Sequence, residues 1–440
     1  MNFKKAVVAS CFIAALAMPC GNASASGFAL IEQSASGLGN AFAGGAASAD
    51  DASTIFYNPA GMSRLPGKQF VVGLHGIKPS AKFNDTASAG AALQPQGGTG
   101  GDAGSLEWVP NGYFTYQINP QTHIGLGVYS PFGLKTQYDP NWMGRFQAIT
   151  SKIETVNLNP SVSYDVNDKV TLGAGLNYQH ITGTLSSAVN YSAAAYGAGG
   201  APLLTAIGGP GVAGISTVDG SDSAWGYNLG AMFNIDTQTR VGMAYRSRIK
   251  YTLTGTISFS GVPAALSVSP LLANGSVTVP LTMPDTFSLS GFHQVDDKWD
   301  VMADATWTGW SVFQQLQINR TTGANVQTVQ ENWNNTWRVS VGGNYHYNSQ
   351  WTSRIGVALD QAPVSDAYRT ARIPDGSRTW LAVGGQYKPG KDSALDFGYA
   401  HLFVSNAAIN QNMTASGAGA LIGTYDDSVD ILSIQYSQNF

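Results

Sequence analysis

The sequence predicts an all-β protein, a transmembrane antiparallel β-barrel of about 14 strands whose lumen is plugged by a partly helical N-terminal segment. Three features of the chain support this prediction: a leader typical of exported proteins, a regular alternation of apolar and polar residues, and connections that alternate between tight turns and long loops. Together they are typical of a chain that is exported and then crosses a membrane with strands.

Residues 1–25 are predicted to be a cleaved signal peptide. Lys4 and Lys5 precede an apolar run, and small residues follow it at positions 23–25. An alternative is lipidation at Cys20, but Pro19 is a poor fit to the small residue expected there. Cys11 and Cys20 both lie in this leader, so the mature chain is expected to have no cysteine for disulfides, metal binding or catalysis.

The composition excludes several classes of protein. Charged residues make up 11% of the chain, well below the roughly 25% of soluble domains, while glycine is abundant at 52 residues. Downstream of the leader no run of about 18 apolar residues occurs, which excludes a helical membrane protein. The net charge is −4 and no basic run is present, so a nucleic-acid partner is not expected.

From residue 69 to residue 440 the chain alternates with period two, as strands do. Apolar residues at 156, 158, 162, 164 and 166 alternate with Asn157, Asn159 and other polar residues. In an outer-membrane barrel the apolar face contacts lipid and the polar face lines the lumen. The last strand ends in Phe440, an aromatic C-terminus common in such barrels. The sequence therefore predicts a barrel over 69–440.

The connections fix the predicted strand number and orientation. Tight turns are predicted near 119–121, 167–168, 236–238, 296–297, 348–349 and 389–390, and long loops at 84–106, 131–147, 186–222, 260–280, 319–334, 362–377 and 404–426. Short turns belong on the periplasmic side of such barrels, so the long loops are expected to face outward and both termini to lie in the periplasm.

Residues 26–68 differ from the barrel because they are rich in Ser, Gly and Ala and show no alternation. A barrel of about 14 strands encloses more space than its own side chains fill. We therefore predict that residues 26–68 form a hatch inside the lumen.

The hatch contains a series of short motifs: Gly27-Phe28, which Ala29 and Leu30 follow, then 36–41, 49–52 and Asn58-Pro59-Ala60. In order and spacing the motifs Gly27-Phe28, 36–41, 49–52 and 58–60 resemble the N-terminal hatch of the FadL family of outer-membrane long-chain fatty-acid transporters (OmpP1/FadL/TodX type), which includes carriers of aromatic hydrocarbons. Residues 131–134, 138–142 and 144–145 are similar to the second external loop of that family, and 172–178 to its fifth strand. The resemblance implies apolar ligand binding near the outer loops, a hatch in the lumen and lateral release through a gap in the wall.

Two apolar loops are the predicted first binding surface, because exposed apolar loops usually mark binding sites. The resemblance implies that the third and fourth external loops form a low-affinity groove at these positions. The residues concerned are Leu203, Leu204, Ile207, Val212, Ile215, Val262, Leu266, Val268, Leu271 and Leu272. The alternative is that these loops only pack on each other as small capping helices.

A carboxylate site in the lumen is predicted from the seventh strand. Val241, Met243 and Tyr245 are expected to face lipid, which places Arg246, Arg248 and Lys250 in the lumen. The alternative is that these charges are solvated or paired with acidic residues. The basic residue that some family members carry in the fifth strand is absent here, so a ligand without a carboxylate stays open.

Gly125 and Gly127, on the lumen face of the third strand, are predicted to mark a kink or bulge. The resemblance implies that this strand bends inward and opens the wall. The alternative is that both glycines make room for the hatch.

The expected partner is a long-chain fatty acid or another hydrophobic small molecule, with outer-membrane lipid and lipopolysaccharide around a monomeric barrel. No cofactor or metal is expected. No catalytic motif is present, which disfavours an enzyme; an esterase barrel, a general porin for small polar solutes and an adhesive barrel are the alternatives.

Overall fold

The structure, a computed structural model, describes residues 27–440 of the chain. The predicted signal peptide, residues 1–25, lies outside the described residues. Among residues 27–440 no helix is long and apolar enough to span a membrane.

Within the described residues, twenty strand segments form a single antiparallel sheet. Their bounds are β1 Lys68–Asp85, β2 Glu107–Asn119, β3 Thr122–Tyr129, β4 Gly133–Gln137, β5 Thr150–Asn167, β6 Val170–Asn190, β7 Ala213–Asn234, β8 Thr239–Arg246, β9 Ile249–Phe259, β10 Gly275–Met283, β11 Thr286–Gln294, β12 Trp299–Thr308, β13 Gln315–Arg320, β14 Asn325–Gln330, β15 Thr336–His346, β16 Trp351–Asp360, β17 Arg378–Tyr387, β18 Ser393–Val404, β19 Ala407–Met413 and β20 Gly419–Asn439.

The sheet closes into a barrel because its first and last strands pair, with Gln69 of β1 opposite Asn439 of β20. Breaks divide some barrel strands into two segments: β3 and β4, β8 and β9, β10 and β11, β12 and β13, β14 and β15, and β18 and β19. With each divided pair counted once, the described part of the chain forms a closed barrel of fourteen strands. The predicted fold class and strand number are confirmed.

The short turns lie where the sequence predicts them, for instance at 120–121 between β2 and β3 and at 168–169 between β5 and β6. The predicted long loops are partly wrong. Strand β6 continues to Asn190 and β7 begins at Ala213, so both ends of the predicted loop 186–222, residues 186–190 and 213–222, belong to an extended hairpin. Small and polar residues occur on both faces of this hairpin, so its sequence shows no clear alternation of apolar and polar residues.

The outer face of the barrel carries apolar side chains and the inner face polar ones, as the alternation predicts. Val156 is 54% exposed and Leu158 is 42% exposed, whereas Asn157 and Asn159 are fully buried on the inner face. Only lipid makes such an outer face favourable, because burying apolar area is worth roughly 25 cal/mol per Å².

Near the long loops the inner face of the barrel is apolar, because the strand register shifts by one residue. Asn228 lies opposite Arg246, whereas Thr217 lies opposite Ser258, so the β8–β9 strand contains one more residue than β7 over this stretch. An extra residue moves all the following side chains to the other face. Above the bulge Tyr251 therefore points inward and is 3% exposed. It belongs to an apolar cluster that fills this part of the interior.

The helices are short and lie in the N-terminal segment and the loops. Their bounds are Ala35–Leu38, Thr54–Tyr57 and Tyr191–Ala206, with 3-10 turns at Pro59–Arg64, Ala264–Leu266, Pro270–Leu272, Trp310–Val312 and Thr414–Ser416. Ser34 Oγ accepts from the backbone N–H of Gly37 at 3.1 Å and caps the first helix.

Residues 27–67, called the hatch from here on, lie inside the barrel. Asn40 contacts Asn344 of β15, at 3.5 Å, and the tip near Pro59 packs on β6 and β7, so the hatch reaches different sides of the wall. Inward-facing glycines make room for it: a Cβ at Gly242 would lie 1.8 Å from the carbonyl oxygen of Ala46, and one at Gly230 would lie 1.9 Å from Asn58. The abundance of glycine thus has a steric reason.

We predict that Gly242→Val displaces the hatch while the barrel still forms, because the new side chain would occupy the position of the Ala46 carbonyl. Proteolysis within 27–67 and ion conductance in planar bilayers should both increase. Gly291→Val is the matched control, since a Cβ there has no neighbour within 4 Å. Equal protection of the hatch in both variants would contradict the prediction.

Candidate functional site

Guanidinium groups of the barrel wall bind backbone carbonyls of the hatch. Arg246 donates to the carbonyl oxygen of Phe56 at 2.8 Å, and Arg338 donates to that of Ala41 at 2.8 Å. Arg240 donates to two further hatch carbonyls, at 2.5 and 2.6 Å. Charge-assisted hydrogen bonds satisfy oxygens that a closed lumen hides from water. The hatch is therefore anchored from more than one side.

The Asn58-Pro59-Ala60 motif anchors the far end of the hatch. The Asn58 side chain accepts from the backbone N–H of Ala60 at 3.0 Å, and its amide donates to the carbonyl of Ala46 at 2.7 Å and to that of Ala231 on β7 at 3.1 Å. One side chain thus caps the following 3-10 turn and ties two parts of the hatch to the wall.

Phe28, at the start of the hatch, lies in an aromatic cage. Its ring centroid is 4.8 Å from that of Trp310, 5.7 Å from Trp333, 6.1 Å from Phe313 and 6.2 Å from Phe132. The side chain is 3% exposed. Aromatic pairs of this kind add about 0.5–1.5 kcal/mol each to the area they bury. Loops of the barrel therefore hold the first hatch residues by packing.

Polar contacts hold the same residues. The backbone N–H of Gly27 donates to Asp375 Oδ2 at 3.0 Å, and Arg378 binds Asp375 Oδ1 at 2.9 Å. The backbone N–H of Leu30 donates to the carbonyl of Pro131 at 2.9 Å. The start of the hatch is thus tied both to the 361–377 loop and to the break between β3 and β4.

Next to this break, β2 and β4 are neighbours in the barrel wall but are not joined by backbone hydrogen bonds. We call the gap between them the slot. Pairing of β2 with β3 ends at Gly112 opposite Val128. Above that level, residues 107–111 of β2 pair with β1 alone, and β4 pairs with β5 alone, in the part of the chain that the structure describes. The break at residues 130–132 therefore bends the strand away from β2 and leaves the slot between β2 and β4.

A cavity of about 560 Å³ connects the start of the hatch with the slot. Its walls are mostly apolar, and they include Phe28, Leu30, Ile77, Leu134, Ile153 and Trp108. A second cavity, of about 110 Å³, lies between the hatch and the wall near Tyr57 and Arg246. Apolar pockets with a few polar groups are the usual binding places for hydrophobic ligands.

The predicted carboxylate site is not assembled. Arg246 faces the lumen as expected, but its guanidinium is bound to the hatch and to Tyr129. Arg248 lies in the break before β9 and pairs with Asp285 at 3.2 Å. Lys250 is exposed on the outer face, so its predicted lumen position is wrong, because the bulge between β8 and β9 reverses the alternation.

Gly125 and Gly127 do not form the kink. Both pair regularly with β2 and β5, and the strand breaks further on, at 130–132. A Cβ at Gly125 would lie 2.6 Å from Ile55 and Met62 of the hatch. This packing agrees with the alternative interpretation of the sequence, in which both glycines make room for the hatch.

The two predicted binding loops pack together. Leu266 is buried, and Leu203, Ile207, Val212, Val262 and Leu272 pack around it. The other members of the set, Leu204 and Ile215 among them, lie outside this cluster, and Val268 and Leu271 are 89% and 76% exposed. The loops thus form a small core with an apolar outer surface.

Buried charged groups in and around the start of the hatch were not predicted from the sequence. Glu32 is 5% exposed, and its Oε2 has no hydrogen-bond partner within residues 27–440. Burial raises the pKa of Glu32 to about 7, although Arg378 and Arg338 lower it. Burial also raises the pKa of Asp375, which Arg378 opposes. Glu32 is the one charged residue at positions 26–36, and this is the sequence signal that marks it.

The described residues contain no group of three or more His, Cys, Asp or Glu side chains that could hold a metal ion.

An apolar outer face, a closed sheet and an occupied lumen define an outer-membrane β-barrel with an internal plug. The chain belongs to the family of outer membrane protein transport proteins (OMPP1/FadL/TodX), whose model matches residues 16–440.

Curated relatives extend over nearly the whole chain. The long-chain fatty acid transport protein of Escherichia coli strain K12 is 30% identical, and the match covers 96% of this chain and 99% of that protein. Outer membrane protein P1 of Haemophilus influenzae is 31% identical, with 88% of each chain covered.

Solved structures give the same result. A Pseudomonas aeruginosa FadL homologue superposes with a TM-score of 0.86 at 30% identity, and the match covers 94% of this chain and 100% of that one. The Pseudomonas putida toluene transporter TodX, at 20% identity and a TM-score of 0.68, covers 95% of this chain and 99% of its own, and shares the fold.

We predict that closure of the hatch depends on pH through Glu32. Because the pKa of Glu32 is raised when the hatch is closed, the closed state favours the protonated acid. The free energy that favours the closed hatch therefore decreases as pH rises from about 4.5 to about 7. The loss amounts to about 3 kcal/mol at most. Hydrogen exchange of hatch amides, corrected for intrinsic rates, should show more opening at pH 8 than at pH 5.

Glu32→Gln should remove most of this pH dependence and stabilise the closed state at pH 8. Asp168→Asn, at an exposed position in the β5–β6 turn, is the control and should leave it unchanged. The same pH dependence in wild type and Glu32→Gln would refute the role of Glu32.

Proposed function

We propose that this protein takes up long-chain fatty acids or similar hydrophobic molecules through the outer membrane, with both termini in the periplasm. The observation that carries the proposal is the apolar cavity of about 560 Å³ that runs from the first hatch residues to the slot in the wall. A channel for polar solutes would need a wet path along the barrel axis, and there the hatch fills the lumen.

Capture is proposed at the two packed loops. Val268 and Leu271 expose apolar surface beyond the barrel rim, next to the packed Leu266 cluster. A hydrophobic molecule that arrives from the polar lipopolysaccharide layer gains free energy by contacting such a surface. The loop core gives the groove rigid walls, so packing and ligand capture are compatible.

Passage requires a movement at the start of the hatch. Phe28 fills the aromatic cage, and the same residue lines the cavity that leads to the slot. We propose that a hydrophobic ligand competes with Phe28 for this cage and that residues 27–30 shift as it enters. Arg246 and Asn58 hold the rest of the hatch, so a local shift suffices.

Release is proposed sideways, through the slot between β2 and β4 into the outer leaflet. The slot has apolar surfaces on both sides, such as Trp108 and Val156, which continue onto the lipid-facing wall. A hydrophobic ligand that leaves by this route never crosses water.

Aromatic hydrocarbons are the second candidate ligands, and the ring cage around Phe28 favours them. Uptake of a labelled long-chain fatty acid and of toluene by cells that lack other transporters of this family would separate the two candidates. A steady large conductance of the purified protein, without binding of either ligand, would instead support a porin.

We predict that Val109→Trp blocks most of the uptake, because Val109 lines the slot and a larger side chain narrows it. Binding at the outer loops, measured as the Kd of a fluorescent fatty acid, should not change. Val162→Trp, at a lipid-facing position that is 44% exposed, is the control. Normal uptake by Val109→Trp would rule out release through the slot.

We predict that Val268→Asn with Leu271→Asn weakens ligand capture. Loss of apolar contact at two exposed side chains should cost about 2 kcal/mol, or about 30-fold in Kd. Uptake at saturating ligand should be retained. Val295→Asn, in a turn at the opposite end of the barrel, is the control. An unchanged Kd in the loop variant would show that capture occurs elsewhere.

A further inference from the structure

An ion pair joins the two edges of the slot. Lys135 Nζ of β4 lies 2.8 Å from Glu107 Oε1 of β2, and Ser105 donates to the same carboxylate at 2.8 Å. Backbone pairing between these two barrel strands ends below, at Gly112 and Val128. The contact therefore crosses the slot where the backbones have separated.

A second ammonium group lies beside the first. Lys152 of β5 is the direct cross-strand neighbour of Lys135, so both side chains are on the same face. Lys152 Nζ lies 2.8 Å from Glu154 Oε1. Like charges on neighbouring positions repel each other. The two lysines thus form an anion site that the protein's own carboxylates occupy.

Both ion pairs are exchangeable. The side chains of Lys135 and Glu107 are 28% and 40% exposed, and those of Lys152 and Glu154 are 37% and 58% exposed. Ion pairs this exposed contribute little to stability, and a released glutamate can turn into water. A competing carboxylate therefore meets a low barrier at these lysines.

The residues next to the two lysines determine which kind of competing anion fits the site. Leu134 and Ile153, the chain neighbours of the two lysines, pack on the apolar interior cluster and line the same cavity. A molecule with a long apolar chain in the cavity and an anionic end at the slot would match both surfaces. A small polar anion would match only the lysines.

We propose that Lys135 and Lys152 form a headgroup subsite for amphiphilic carboxylates at the slot, where the ligand carboxylate replaces Glu107 on Lys135 and opens the cross-slot ion pair. This inference rests on the proposed function and deepens it, because it names a charged end group for the cargo. An uncharged ligand of equal length cannot exchange with Glu107, and it passes the slot without this contact.

The test compares uptake of a long-chain fatty acid with uptake of the alcohol of the same length, at neutral pH, in cells that lack other transporters of the family. Loss of a charge-assisted contact should lower the acid-to-alcohol uptake ratio about tenfold in the double variant Lys135→Gln with Lys152→Gln. Glu107→Gln should raise the ratio, because it frees Lys135 for the ligand. The control is Lys169→Gln, an exposed lysine in the β5–β6 turn.

Alcohol uptake reports in each variant whether the barrel is folded, and if the double variant fails this check, Lys135→Gln alone and Glu107→Gln decide. An unchanged ratio in folded variants would overturn the headgroup subsite while leaving the proposed transport intact. Failure of the wild type to take up either compound would instead overturn the proposed function.

Discussion

The need to pair every backbone N–H and C=O group that meets lipid governs this structure. Strands satisfy it only when the sheet closes, and the pairing of β1 with β20 closes it. Closure at fourteen strands leaves a lumen that side chains of the wall alone do not fill, so the hatch becomes part of the interior. The gap between β2 and β4 departs from this rule. There the break at 130–132 separates β4 from β2, and unpaired edges of the wall line a cavity.

The hatch and the wall fit each other by two devices with different physical roles. Glycines such as Gly242 and Gly230 remove side-chain volume where hatch backbone approaches the strands. Arginines such as Arg240 and Arg338 supply donors for carbonyl groups that would otherwise be buried without partners. The first device allows contact and the second makes it specific. Arg240, Arg246 and Arg338 therefore hold the hatch in the lumen.

The first residues of the hatch contact the break that borders the slot. Leu30 binds the carbonyl of Pro131, and Phe28 packs on Phe132, in the very break that opens the wall. A shift of residues 27–30 therefore changes the packing at the slot without any long-range signal. The cross-slot pair of Lys135 and Glu107 lines the same cavity. Ligand entry, hatch movement and release can thus be coupled by direct contact.

The alternation, the tight turns and the number of strands followed from the sequence alone, because period two and turn chemistry are local properties. The apolar outer face at Val156 and Leu158 needed no tertiary information either. Tertiary structure decided the site. A one-residue bulge near 247–248 places Lys250 on the outer face of the barrel. Arg246 faces the lumen, but its guanidinium group binds a backbone carbonyl of the hatch. Gly27 and Asp375 are hydrogen-bonded across 348 residues of chain. Such contacts depend on how distant segments pack inside the barrel, which cannot be derived from the periodicity or spacing of residues.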